Sequence, residues 1–284
     1  MIDVILKKGK ERSLLRRHPW VYDTAVARLS ARANSGDTVR IVSAEGKPLA
    51  LAAYSPESTL RARCWTFDTD EQIDAAWFET RLRNAIDARA ALHSRTSAIR
   101  LVFGEADGLP GLIVDQYGEY LVTQFMAAGV DRYRELIADL LMKITGARGL
   151  YDRSDAQLRQ REGLELMSGL MRGEEPPEAI EVVEDGVRYG IDVRNGHKTG
   201  FYIDQRESRL TAQKVAEEFR RQHGRGMRAL NCFCYTGGFS LALLKGGAEE
   251  VVSVDSSAEA LEMARANAAR NGFSENAHKT VCED

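Results

Sequence analysis

The residues best placed for chemistry lie in Met227–Ser257, which reads MRALNCFCYTGGFSLALLKGGAEEVVSVDSS. An apolar run, Ala229–Phe233, leads into a turn with two adjacent glycines, Gly237 and Gly238. A short apolar helix pattern follows, then a strand-like run, Val251–Val254, that ends on Asp255. Strand, glycine turn, helix, strand and acid in that order predict the opening of a doubly wound, Rossmann-like nucleotide-binding sheet. Helix amides left unpaired after the glycines would form a polar, positive cradle. Asp255, 17 residues beyond Gly238, stands where a carboxylate grips two ribose hydroxyls. The glycines depart from G-x-G-x-x-G, because Asn231-Cys232-Phe233-Cys234 fills the first glycine's neighbourhood. A pyrophosphate needs close backbone approach at several points, whereas S-adenosyl-L-methionine carries no phosphate and needs fewer glycines. The loop therefore favours S-adenosylmethionine over NAD. Lys279–Asp284 predicts a third strand, whose last residue, Asp284, is placed to accept from an adenine amino group.

These residues need a scaffold, and 284 residues suffice for two or three domains with real cores. Residues 1–70 carry short alternating runs, Asp3–Leu6, Thr38–Val42, Leu49–Ala53 and Leu60–Phe67, separated by turn signals. They predict a small β-rich module. Lys10–Arg17 is expected to form one or two helical turns, stopped by Pro19. Residues 71–178 read as an α+β middle domain: a helix over Ile73–His93, strands at Ala98–Phe103, Leu112–Asp115, Tyr120–Met126 and Gly149–Tyr151, and a helix over Asp131–Lys143. Met171–Ala179, with Pro176-Pro177 and three glutamates, reads as a linker. Residues 179–284 open with a hairpin, Glu181–Val183 and Val187–Val193 about an Asp185-Gly186 turn, and a helix is expected over Ser256–Arg270. The fold class is α/β multidomain.

Composition excludes several functions. No apolar run approaches the roughly 20 residues of a membrane span, and the N-terminus has no signal-peptide core. The four cysteines lack the spacing of a disulfide framework, and Cys232-x-Cys234 has no second ligand pair downstream, so neither disulfides nor a metal is expected. The reading is a soluble, cytoplasmic protein. The net charge of −3 hides an asymmetry: residues 1–40 sum to +5, residues 41–70 to −1, and the rest to −7. Lys7, Lys8, Lys10, Arg12, Arg16 and Arg17 cluster with His18 and Trp20. Cations that neutralise phosphates beside rings that stack on bases suggest RNA, against the plainer reading of a solvated basic face.

Several longer stretches carry a resemblance: GKERSLLRRHPWVY (9–22), AYSPESTLRARCWTFD (53–68), GEADGLPGLIVDQYG (104–118), YDRSD (151–155), NGHKTGFYIDQRESR (195–209) and LNCFCYTGGFS (230–240). With them the chain resembles the bacterial ribosomal RNA large subunit methyltransferase I family, 23S rRNA cytosine-C5 methyltransferases with an N-terminal PUA domain. The resemblance implies a PUA-like RNA-binding module at 1–70, a central domain at 71–178 and a methyltransferase domain at 179–284. It implies that the segment from His197 to Arg206 borders the cofactor, with Lys198, Thr199, Phe201, Asp204, Gln205 and Arg206 as candidates. Asn231, Phe233, Thr236, Gly237, Gly238, Phe239 and Ser240 match the loop under the methionine end, and Asp255, Ser256 and Asp284 match the ribose and adenine contacts. Tyr235 and Phe239 read equally as packing residues. Asp107, Asp115, Tyr151, Asp152 and Arg153 match motifs of the middle domain, and structural roles are expected for them.

The resemblance departs where the reaction occurs. Cytosine C5 becomes nucleophilic only after a cysteine thiolate adds to C6. The family carries that cysteine after its fifth strand and an Asp-Pro-Pro loop after its fourth, whereas this sequence runs to the third. Pro176-Pro177 lies upstream and does not match that loop. Cys232 and Cys234 are expected in the cofactor loop and Cys282 buried in a strand, so no catalytic residue is assigned. The expectation is a C-terminally truncated member holding the first half of the methyltransferase sheet, inactive alone, binding its cofactor weakly and inviting a homodimer through an exposed sheet edge. The alternatives are a non-catalytic RNA-binding protein with a vestigial cofactor half and, less favoured by the loop, an NAD-dependent enzyme.

Overall fold

Period-two alternation builds the first sheet. A computed structural model, which describes residues 1–196 and 199–283, divides the chain into two units: Met1–Ala91 with Arg100–Pro176, and Leu92–Ile99 with Pro177–Asp284. The first unit opens with β1 (Ile2–Leu6), α1 (Arg12–Leu15), β2 (Trp20–Val21), β3 (Val26–Leu29), β4 (Thr38–Val42), β5 (Pro48–Tyr54) and β6 (Ala62–Thr66). They form one sheet in the order β2-β6-β5-β4-β1-β3, with β1 and β4 parallel. Val4 and Leu6 of β1 alternate inward into one core with Val39 and Ile41 of β4, and Leu14 of α1 joins it. The helical turn before Pro19 ends at Arg17, whose φ of 60° is left-handed. Strands β2 and β3 were absent from the sequence reading because two residues, or four half-exposed ones, leave no alternation to detect.

The same unit continues with α2 (Ala75–Asp87), β7 (Ala98–Phe103), β8 (Leu112–Tyr117), β9 (Tyr120–Phe125), α3 (Ala128–Arg132), α4 (Arg134–Thr145), β10 (Gly149–Asp152), α5 (Ala156–Arg161) and β11 (Gly169–Gly173). The unit boundary falls within β7, and the second sheet runs β11-β10-β9-β8-β7. The expected linker at 171–179 needs correcting: its first three residues belong to β11, which pairs antiparallel with β10. An edge strand of half-exposed residues is held by its backbone ladder and carries no apolar signature. The middle-domain acids are bound to arginines. Asp107 takes both arms of Arg89 (2.7 and 2.9 Å), Asp115 both arms of Arg100 (2.8 and 2.9 Å), and Asp152 one arm of Arg134 (2.9 Å). Burial raises the Asp152 carboxyl above its ordinary pKa, against the lowering by Ser154 and Arg134.

The first sheet of this unit meets helices α2 and α3 at an aromatic cluster. The Trp65 ring lies 5.8 Å from Trp77 and 5.5 Å from Phe78, both edge-on. Gly129 of α3 sits against it, where a Cβ would fall 2.4 Å from the Ala53 Cβ and 2.5 Å from the Trp65 ring.

In the second unit β12 (Ile180–Glu184) and β13 (Val187–Ile191) form the expected hairpin, with Asp185 and Gly186 both left-handed (φ 46° and 81°). Then come α6 (Arg206–His223), β14 (Arg228–Cys232), α7 (Gly238–Lys245), β15 (Glu250–Asp255), α8 (Ala258–Arg270) and β16 (His278–Cys282). The last three strands make a parallel sheet in the order β14-β15-β16. Parallel neighbours joined by helices are the doubly wound arrangement read from the sequence. Strand β14 pairs on one side only among the described residues, and Leu230 on it is 65% exposed. Among the described residues no helix is long and apolar enough to cross a membrane.

Gly129→Val should destabilise the first unit by about 1–3 kcal/mol through overpacking against Ala53 and Trp65. Denaturant unfolding followed by near-ultraviolet circular dichroism checks this, and an unchanged midpoint would contradict the packing.

Candidate functional site

Asp255 ends β15, and its carboxylate organises the loop beside it. One oxygen accepts the Tyr235 amide at 2.7 Å and the other the Ser257 amide at 3.0 Å. The loop reaches this position through three left-handed residues, Phe233 (φ 58°), Tyr235 (φ 50°) and Gly237 (φ 81°). Left-handed backbone at two aromatic residues costs about 1–3 kcal/mol each, and the two Asp255 bonds with Cys234 N–H to Val254 C=O (3.0 Å) hold it. The result is an aromatic residue thrust outward: Phe233 is 89% exposed.

A cleft of about 310 Å³ lies over this loop, within the second unit. One wall comes from the loop, with Phe233, Tyr235, Thr236 and Phe239, and Asp255 and Ser257 border it. The opposite wall is Phe201, Tyr202, Gln205 and Arg209. Arg209 fixes that wall. It donates to both oxygens of Glu184 (2.7 and 2.9 Å) and to the Tyr202 carbonyl (2.9 Å), and its guanidinium stands 4.4 Å over the Phe201 ring. Both Glu184 and Arg209 are buried. Tyr202 and Tyr235 then meet edge-on at 5.6 Å across the cleft.

The structure brings together Phe201, Gln205, Phe233, Thr236, Gly238, Phe239 and Asp255 of the expected cofactor set. It does not bring Arg206 to the cleft: this buried side chain donates to the Ala98 carbonyl at 2.8 Å and faces Glu184 at 3.5 Å. Asn231 and Ser240 bond each other at 2.9 Å beneath the loop. Gly237 supplies the left-handed turn, Thr199 is buried, and Asp204 and Ser256 are exposed beside the cleft without lining it. Lys198 and Asp284 lie outside the described residues. Arg209, Tyr202 and Ser257 were missed. Arg209 closes the same NGHKTGFYIDQRESR segment, where an arginine three residues after another reads as helix-surface charge.

Beneath the loop a polar chain runs through the sheet. Ser240 Oγ meets Ser253 Oγ at 2.6 Å, and Ser253 Oγ meets His278 Nε2 at 2.8 Å, all three residues buried. Burial, and then the charge of Arg265, lower the His278 pKa below the ordinary 6.5. Cys234 and Cys64 are not set up as thiolates. Burial, with Asp255 adding to it, pushes Cys234 up to about 11, and burial pushes Cys64 up to about 12. Cys282, expected to be buried, is exposed, because nothing among the described residues covers the end of the outer strand β16. Among the described residues no cluster of His, Cys, Asp or Glu could hold a metal.

In the first unit the N-terminal cations Lys7, Lys8, Lys10, Arg12, Arg16 and Arg17 are all exposed, as are His18 and Trp20. None of the six cations forms an ion pair among the described residues. The Lys7 ammonium donates to the Thr24 carbonyl (2.9 Å) and Arg17 lies over the Phe67 ring at 5.7 Å.

Residues 4–67 match the model of a PUA-like domain, and residues 156–279 that of the S-adenosylmethionine-dependent methyltransferases. The ribosomal RNA large subunit methyltransferases I of Klebsiella pneumoniae (strain 342) and Escherichia coli O139:H28 are each 46% identical over 272 residues, 95% of this chain. The match covers 66% of the first and 67% of the second, so the chain spans about two thirds of the length of the curated relatives it matches. In backbone it is similar to a Streptococcus mutans protein assigned to the SAM-dependent methyltransferases (TM-score 0.81, 22% identity, 100% of this chain and 71% of that one). A second solved structure, of a protein assigned as a methyltransferase and complexed with SAH, gives a TM-score of 0.84 at 22% identity, covering 100% of this chain and 70% of that one.

Arg209→Ala should cost about 3–5 kcal/mol, because Glu184 keeps a buried charge that Arg206 at 3.5 Å meets poorly. Thermal unfolding of the variant reads this directly. The depressed His278 pKa makes stability full above pH 6.5 and lower as pH falls below it, since the unfolded chain then takes a proton that the folded chain refuses. Unfolding titrations between pH 7.5 and 5 should show a shallower loss in His278→Gln than in the parent. Alkylation followed by mass spectrometry should label Cys232 and Cys282 well before Cys64 and Cys234.

Proposed function

Because this chain belongs to the ribosomal RNA large subunit methyltransferase I family, we propose that its second unit binds S-adenosylmethionine in the cleft beside Asp255 and that its N-terminal module, residues 1–70, holds ribosomal RNA. The domain assignment follows the same reading: a central α+β domain at 71–178 and a methyltransferase domain at 179–284. The reaction proposed for the whole protein is methyl transfer to C5 of a cytosine in 23S rRNA, in the cytoplasm where ribosomes are built.

One observation carries the cofactor reading. The cleft combines a strand-end carboxylate with aromatic walls, and the residues fit the group. Asp255 spends one lone pair of each oxygen on a backbone amide, and the remaining pairs can accept from ribose hydroxyls. The rings of Phe201, Tyr202, Phe233 and Tyr235 suit a flat heterocycle and attract a cationic sulfur. S-adenosylmethionine supplies an electrophilic methyl group on such a sulfur. Asp284 and Lys198 remain candidates for the adenine and the amino-acid end on the family pattern alone. Of the two cysteines in the loop, Cys234 is buried with a raised pKa, and Cys232 does not line the cleft. No catalytic residue is assigned.

The exposed N-terminal cations, which form no ion pair among the described residues, suit RNA in a second reading as well, a non-catalytic RNA-binding protein with a vestigial cofactor-binding half-domain. Association of two copies along the side of β14 that pairs with no strand among the described residues is compatible with either.

Isothermal titration with S-adenosylmethionine should show binding that Asp255→Ala weakens roughly 10- to 100-fold, the worth of hydrogen bonds to a charged acceptor. Undiminished affinity would remove Asp255 from the site. Incubation with unmodified 23S rRNA and labelled cofactor, followed by nucleoside mass spectrometry, separates the two readings: 5-methylcytidine supports the enzyme, and RNA binding with no methylated nucleoside supports the second.

A further inference from the structure

A second cleft, of about 570 Å³, lies entirely within the first unit and shares no lining residue with the cleft beside Asp255. Its size is within the range of small-molecule sites. Trp20, Ser58 and Arg63 come from the N-terminal sheet and its loops, Glu105 and Met126 from the segments that follow β7 and β9, and Arg161 from α5. We propose that this cleft receives a single unstacked nucleotide of an RNA strand, with the base against Trp20 and the phosphate at Arg161. The inference rests on the RNA reading above and names the form of RNA that the first unit selects.

The arrangement of charge sets the orientation. At the floor Arg63 donates to both oxygens of Glu162 (2.8 and 3.0 Å), and Ser55 adds a third bond to that carboxylate at 2.9 Å. Although burial raises the Glu162 pKa, the Arg63 bonds outweigh it and hold the group ionised. This pair is closed, so the floor has no spare cation for a phosphate. Glu57 and Glu105 on the walls repel one. The available cation is Arg161, exposed and without an ion pair among the described residues. A ligand therefore enters with its uncharged, flat end first.

Trp20 is built to meet such an end. Its indole N–H is already given to Glu105 at 2.9 Å, which fixes the ring and leaves its π face as the means of contact. The same indole borders a smaller pocket of about 170 Å³, lined also by Lys10 and Ser13, so the ring stands between the cleft and the basic N-terminal segment. Exposed cations leading to an aromatic ring are how single strands are tracked and stacked, in a manner that tolerates any base. A duplex keeps its bases stacked and cannot fill the cleft.

The test uses the full chain and fluorescence anisotropy with a labelled single-stranded RNA and a blunt duplex of the same sequence. Trp20→Ala should weaken the single strand roughly 10- to 100-fold, with less than about a 2-fold effect on the duplex. Trp20→Phe, which loses the bond to Glu105 but keeps a ring, should restore most of the affinity, and this separates stacking from a fold defect. Arg161→Ala should weaken the single strand and reduce its salt dependence. Equal losses for both RNAs, or no loss for the single strand, would overturn the nucleotide cleft. Lys7→Ala/Lys10→Ala should weaken both RNAs, and if it changes neither, the RNA reading itself fails.

Discussion

A carboxylate in a dry interior is tolerable only when its charge is met, and Glu184 is such a carboxylate. It ends β12, one residue before the hairpin turn, and draws two arginines from the first turns of α6. Once Arg209 is committed to it, the rest of the guanidinium has one place to go. It bonds the Tyr202 carbonyl and covers the Phe201 ring, and so one wall of the cleft is fixed by a buried ion pair. Segment 92–99 is tied to the same corner. Arg95 grips Asp185 with two bonds of 2.9 Å, and the Ser97 amide reaches the Val183 carbonyl. The hairpin, helix and cleft wall stand or fall together.

The opposite wall obeys a different constraint, that of backbone conformation. The paired glycines read from the sequence as a place where a ligand approaches the backbone. In the structure they do two other things. Gly237 adopts a left-handed φ, and a Cβ on Gly238 would lie 3.2 Å from the Arg209 Cδ. The second glycine thus makes room for the arginine that fixes the other wall. Absence of a side chain at one position and presence of a long one 29 residues earlier are a single packing solution.

What was legible in the sequence was local. Strand, turn, helix, strand and acid located Asp255, and the Asp185-Gly186 pair located the hairpin, because each signal is complete within a few residues. What was not legible depends on distant partners. Glu184 and Arg209 are 25 residues apart, and Trp20 and Glu105 are 85 apart. Arg206 illustrates the cost. Its position in the motif pointed to the cofactor, yet a buried carboxylate and a strand carbonyl claim it, and neither is visible in the surrounding residues. Strand β11 escaped for a related reason, since an edge strand is specified by its neighbour's backbone and its own residues say little.

The side of β13 facing α8 is closed without a further strand. The Asn271 side chain accepts the Arg188 amide at 2.8 Å and donates to the Arg188 carbonyl at 2.7 Å, as a peptide group of an adjacent strand would. Its neighbour Asn267 takes the Gly190 amide at 2.7 Å. Two amide side chains on a helix thereby act as a strand partner and leave no ladder there for another chain to extend. The residue after Asn271 is Gly272, the context in which asparagine cyclises most readily, because glycine leaves the following amide nitrogen unhindered. Hydrolysis would replace the donor to Arg188 with a second acceptor. The bonds that close the strand thus also hold that amide in a fixed pose, away from the geometry that cyclisation requires.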